Sequence, residues 1–161
     1  MNIISGNLQN IRTRMASSCA AAQRDTRDVA LLAVSKTFDA DAVREAAACG
    51  QRAFGENYNQ EAVEKIALLA DLGLEWHCIG PIQSNKSKLV AENFGWVHSI
   101  DRLKTAERLS MQRPAHLPPL QVCLQVNVDG GANKSGVAPQ DLLALAQAVA
   151  KLPRLQLRGL M

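Results

Sequence analysis

The sequence predicts an α/β fold of repeated strand–helix units, a (β/α)8 TIM-type barrel with about six of its eight strands present. Three observations carry this. Four short β-rich segments begin about 22 residues apart, "ALLAVSK" from Ala30, "RAFGEN" from Arg52, "LEWHCIG" from Leu74 and "WVHSID" from Trp96. Helical patterns fill the intervals, so successive strands run parallel. The segments also end on chemically rich residues, which are Lys36, Glu56 with Asn57, the Gly80 loop, Asp101, and then Asn127 and Asp129. In a barrel such ends converge on one face. An open doubly wound sheet would spread them along a crevice, and no GxGxxG fingerprint follows the first strand.

The first element is a helix. Ile4, Leu8, Ile11 and Met15 form one stripe of this extra N-terminal helix at about residues 2–22, placed to cover one side of the domain. After the first strand, Asp39 is positioned to cap a helix through "DADAVREAAAC" that stops at Gly50. "YNQEAVEKIALLADLG" sets Ala62, Val63, Ile66, Leu69 and Ala70 on one face before Gly73. Asp101 introduces "RLKTAERLSMQ". A fifth strand, "LQVCLQVNV" from Leu120, precedes a helix running from Pro139 to a stop at Pro153, and a sixth, "LQLRGLM", starts at Leu155.

Composition narrows the function classes. A chain of 161 residues, 47% apolar and 20% charged, is one globular domain. It lacks an apolar run of signal-peptide or membrane-span type, so a cytoplasmic protein with no membrane partner is expected. Cys19, Cys49, Cys78 and Cys123 form no CxxC pair and read as small core residues in a reducing compartment. A net charge of +3 without a basic run gives no nucleic-acid footprint. His77, His98 and His116 lack metal-ligand spacing, so no metal site is expected.

The ordered motifs "LLAVSKT", "FGENYNQE", "EWHCIGPIQSNKSK", "SIDR" and "RLQLRGLM" span essentially the whole chain. Together they resemble the pyridoxal phosphate homeostasis protein family. The resemblance implies a barrel like the N-terminal domain of alanine racemase, the type III fold of pyridoxal 5'-phosphate (PLP) proteins. It implies a lysine at the end of the first strand that holds PLP as a Schiff base, and that lysine corresponds to Lys36. It implies a non-catalytic carrier, with PLP-dependent apo-enzymes as recipients and a monomeric full-length protein. Members of this kind continue for roughly two further βα units, which in such barrels commonly build the phosphate cup. The chain is accordingly expected to be the N-terminal part of the barrel, residues 1–161, with its phosphate grip elsewhere, weak cofactor retention, and an open edge available for self-association.

The residues support this chemistry independently. An aldehyde is attacked only by a neutral amine. At the ordinary lysine pKa of ~10.4, roughly one amine in a few thousand is neutral at pH 7. Withdrawal from water at a barrel mouth raises that fraction, and a rigid strand end orients the nucleophile. Asn57 has two readings of equal weight, facing the cofactor ring or its hydroxyl, or capping the next helix. His77 lies on the opposite strand face from Trp76 and Cys78. Pointing inward it sits under the cofactor, and pointing outward it is a satisfied polar residue between strand and helix.

Two other functions compete. A PLP-dependent amino-acid racemase needs acid–base groups on both faces of the substrate Cα, and the chain has one tyrosine, Tyr58. A degenerate P-loop is the weaker rival. "GPIQSNKS" from Gly80 to Ser87 follows a strand and opens a helix, but Asn85 stands where the last glycine belongs. The similar "GGANKS" before Gly136 reads as a loop.

Overall fold

A computed structural model describes residues 3–131 and 133–161. Residue 2 of the expected first helix and Ala132 of the "GGANKS" loop lie outside them.

Six strands form one sheet in the order β1-β2-β3-β4-β5-β6, with every neighbouring pair parallel. They are β1 (Ala33–Val34), β2 (Ala53–Glu56), β3 (Glu75–Cys78), β4 (Trp96–Ile100), β5 (Leu120–Leu124) and β6 (Leu155–Leu160). This order decides between the two architectures. A doubly wound sheet reverses the direction in which it adds strands at a switch point and places helices on both faces. A sheet that always adds the next strand on the same side places its right-handed crossovers on one face, as a barrel does.

The helices are α1 (Ile3–Ala21), α2 (Ala40–Ala48), α3 (Asn59–Leu68), α4 (Ser87–Asn93), α5 (Leu103–Gln112) and α6 (Leu142–Val149). Asp39 caps α2 as its sequence position predicts, its carboxylate accepting from the Ala42 amide at 2.9 Å. Gly50 and Gly73 stand after α2 and after the turn beyond α3 at positive φ, where a side chain would be strained. Arg12 of α1 donates to the Cys49 carbonyl at 2.7 Å, bringing a cation to the C-terminus of α2. No helix among the described residues is long and apolar enough to cross a membrane.

The core lies between the sheet and these helices. Phe54, Cys78, Val97, Ile100, Leu120, Val122 and Leu124 point outward from the strands against Val43, Ala62, Leu69, Val90, Ala106, Leu109 and Val149. Period-2 alternation leaves the opposite, inner face to Glu75, His77, Trp96, His98, Gln121 and Arg158.

Several local expectations change. β1 has two ladder residues rather than the length of "ALLAVSK", its pairing with β2 among the described residues being confined to Ala33 and Val34. The buried stripe of α3 is Asn59, Ala62 and Lys65, continued by Leu69. Val63 is half-buried and Ala70 exposed, because the helix gives way to a 3-10 turn at Ala70–Leu72. Asp101 does not cap α5. It accepts instead from the Gly136 amide at 3.4 Å, tying the β5–α6 loop to the end of β4. Of the four free cysteines, Cys19 and Cys78 are buried but Cys49 and Cys123 only partly so.

Candidate functional site at the strand-end rim

Lys36 stands immediately beyond β1 in the turn Ser35–Phe38, closed by the Phe38 amide donating to the Ser35 carbonyl at 3.1 Å. Thr37, the third residue of this turn, has φ of 67°. That is the left-handed region a β-branched residue rarely enters, at a cost of about 1–3 kcal/mol. The turn holds Lys36 out at the rim, and the side chain is exposed. The described residues therefore do not withdraw its amine from water as the strand-end reading expects.

Asn57 is the first residue past β2. Because Val34 pairs with Gly55, Lys36 and Asn57 occupy the same level of the rim. The helix-cap reading of Asn57 fails. The N-cap of α3 is Tyr58, and among the described residues no side chain caps that end. Asn57 instead lies against Gly80, where a Cβ would come 2.6 Å from the Asn57 carbonyl oxygen and 2.7 Å from its side-chain oxygen. Gly80 is itself fixed, its carbonyl accepting from the Ser99 hydroxyl at 2.6 Å. Below this rim Leu32 and Ile79 close over Gly55, giving an apolar floor.

His77 is on the inner face, level with Gly55 and thus one residue pair below Lys36 and Asn57. Its Nε2 is 2.9 Å from Glu75 Oε1 and its Nδ1 2.8 Å from His98 Nε2. Its ring stacks on Trp96 at 5.2 Å. A carboxylate accepts only, so neutral His77 donates from Nε2 to Glu75 and accepts from His98 at Nδ1. Burial lowers the pKa of His77, opposed by the Glu75 hydrogen bond, and burial with the neighbouring His77 lowers that of His98. Both rings are thereby held neutral at pH 7.

The sequence reading missed the groups behind the rim. Ser35, Glu56 and Cys78 occupy one level on the outward side of β1, β2 and β3, facing α3. Lys65, only 4% exposed, donates to Glu56 Oε1 at 2.8 Å, to the Ser35 carbonyl at 2.9 Å and to Glu61 at 3.3 Å. The Ser35 hydroxyl donates to the same Glu56 oxygen, while Glu56 Oε2 has no partner among the described residues. A glutamate in a strand and a lysine on a helix nine residues later were the available signal. The apolar stripe assigned to α3 hid it.

The P-loop alternative is not formed. Ser84–Lys86 is a 3-10 turn ahead of the short α4, and Gly80 is not among the glycines at positive φ. The Lys86 amide donates to the Gln83 carbonyl and its Nζ lies 3.2 Å from Gln60 Oε1, so neither faces a phosphate cradle.

Comparison with known proteins bears on the family and the fold. Residues 6–161 match the family described as alanine racemase, N-terminal domain. A pyridoxal phosphate homeostasis protein of Pseudomonas aeruginosa is 63% identical over 161 residues, covering the whole chain and 70% of that protein. One from Escherichia coli K12 is 54% identical over 164 residues, again covering all of this chain and 70% of the relative. PipY of Synechococcus elongatus, solved with PLP bound, superposes with a TM-score of 0.78 at 43% identity, over 94% of this chain and 69% of that one. Alanine racemase from Corynebacterium glutamicum shares the fold, with a TM-score of 0.65 at 21% identity over 98% of this chain and 42% of that one. The six-stranded parallel sheet, the match over residues 6–161 and these relatives agree: the chain belongs to the alanine racemase N-terminal domain family, among its pyridoxal phosphate homeostasis proteins.

Proposed function

We propose that this chain binds PLP through Lys36 and serves in PLP homeostasis, holding the cofactor and passing it to apo-enzymes in the cytoplasm rather than turning over a substrate. The observation that carries this is Lys36 itself, an exposed primary amine on a hydrogen-bonded turn, in a chain 43% identical to a protein solved with PLP bound. The residues at the rim fit the group. When bound, the cofactor supplies an aldehyde that condenses with a neutral primary amine, expelling water. Lys36 offers an exposed primary amine at the rim. Asn57 offers an amide that makes no hydrogen bond among the described residues, and Leu32 with Ile79 offer an apolar floor. His77 acts from below. With both ring nitrogens engaged, it supports Trp96 and His98 rather than reaching the rim.

The carrier reading is favoured over racemization because a racemase must protonate and deprotonate Cα from opposite faces. The chain's one tyrosine, Tyr58, is 55% exposed at the entry to α3, and its hydroxyl has no orienting hydrogen bond among the described residues. The test is PLP absorbance retained after gel filtration, for the chain and for Lys36→Ala. The account expects weak but measurable retention by the first and none by the second, whereas measurable retention to the same extent by both would remove Lys36 from the site. Rapid Lys36-dependent deuterium exchange at the Cα of alanine would overturn the carrier reading.

A further inference from the structure

We propose that the buried Ser35–Glu56–Lys65 network is a positioning device that sets the level and direction of Lys36 and Asn57 on the rim, an inference that rests on the PLP-site reading. Two of its members adjoin the site in sequence. Ser35 immediately precedes Lys36, and Glu56 immediately precedes Asn57. Among the described residues β1 pairs with β2 over two residues, and that ladder stops short of Ser35 and Lys36. Every polar atom of Ser35 is nevertheless tied. Its amide donates to the Gly55 carbonyl at 2.9 Å, its carbonyl accepts from both Phe38 and Lys65, and its hydroxyl donates to Glu56. Lys65 spends all three ammonium protons here, two of them on groups adjoining the rim residues.

A stability role alone explains this arrangement poorly. Glu56 is 0% exposed and its second oxygen is unpartnered among the described residues, so the pair carries a full desolvation penalty with incomplete compensation. Well-packed apolar residues of similar volume commonly match or exceed the stability of such a pair. An apolar pair would lack direction. Lys65 fastens the Ser35 carbonyl, which closes the turn bearing Lys36 and holds Thr37 at positive φ. The same carboxylate couples that turn to the first residue beyond β2. Lys65 is therefore a positioning residue that acts through Ser35 and Glu56 without touching the cofactor.

The test compares the parent with Glu56→Leu/Lys65→Met, which removes both charges together, and with the milder Ser35→Ala. Thermal melting reports folding, PLP titration reports the site, and hydrogen exchange of the peptides containing residues 35–38 and 56–59 reports positioning without any cofactor. A folded double variant is expected to bind PLP about ten- to a hundredfold more weakly and to exchange faster in both peptides. Ser35→Ala is expected to shift both readouts the same way by less, which keeps the test decisive should the double variant fail to fold. Unchanged PLP affinity with unchanged exchange in a folded variant would overturn the proposal. Failure of the parent to take up PLP would overturn the site reading instead, and the exchange comparison would still decide whether the network positions the rim.

Discussion

The two faces of the sheet obey different rules. On the helix-covered face Phe54, Val97, Ile100, Leu120, Val122 and Leu124 are each at most 1% exposed. On the inner face β6 exposes Gln156 and Arg158, and Arg158 spans to Gln121 at 2.9 Å and lies over Trp96 at 5.3 Å. The outer face supplies stability through apolar burial. The inner face and the rim above it carry polar groups whose arrangement matters more than their energy. The buried ionic network is the exception that sharpens this contrast, since it places charge on the outer side directly behind the rim.

Substitutions on the two sides should therefore separate folding from binding. The largest expected effect is Phe54→Ala, which removes a fully buried ring beside Trp76 and should cost about 3–5 kcal/mol in a denaturant titration. Gly80→Ala comes next, because its Cβ would meet Asn57 backbone at 2.6 and 3.0 Å. Its stability loss should be about 1–3 kcal/mol, and the displaced Asn57 should weaken PLP binding measurably. Acid should act through the inner face. Burial depresses His77 and His98, so the unfolded chain takes up their protons first as pH falls. Their contribution to stability is full above the ordinary value of 6.5 and declines as pH drops through the lowered folded pKa values, whereas a His77→Gln/His98→Gln variant should show a flatter profile there. The smallest effect belongs to Arg158→Ala, an exposed inner-face contact worth about 1 kcal/mol or less in the same titration.

Much of the scaffold was legible from residue pattern because its determinants are local. The interval of about 22 residues set the βα repeat, Asp39 capped α2, and Lys36 and Asn57 fell at matched strand ends. The direction in which strands add to the sheet, which decides barrel against doubly wound, is a long-range property that no single window contains. The ionic network escaped for a related reason. Lys65 lies three residues from Ala62 and reads as a charged neighbour of an apolar stripe until β1 and β2 deliver Ser35 and Glu56 beneath it. Asp101 misled in the opposite sense. A carboxylate before a helix resembles a cap, but the Gly136 amide arriving from a distant loop took it instead. Neither outcome is set by propensity, because one depends on two strands meeting and the other on a partner from a different loop.

The central claim is that Lys36 is the amine that holds the cofactor. The most direct test is borohydride reduction of the chain after incubation with PLP, followed by intact mass and peptide mapping. The account predicts one reduced adduct per chain, located on Lys36 and absent from Lys36→Ala. No adduct, or an adduct spread over exposed lysines such as Lys88 and Lys134 with Lys36 unmodified, would contradict it.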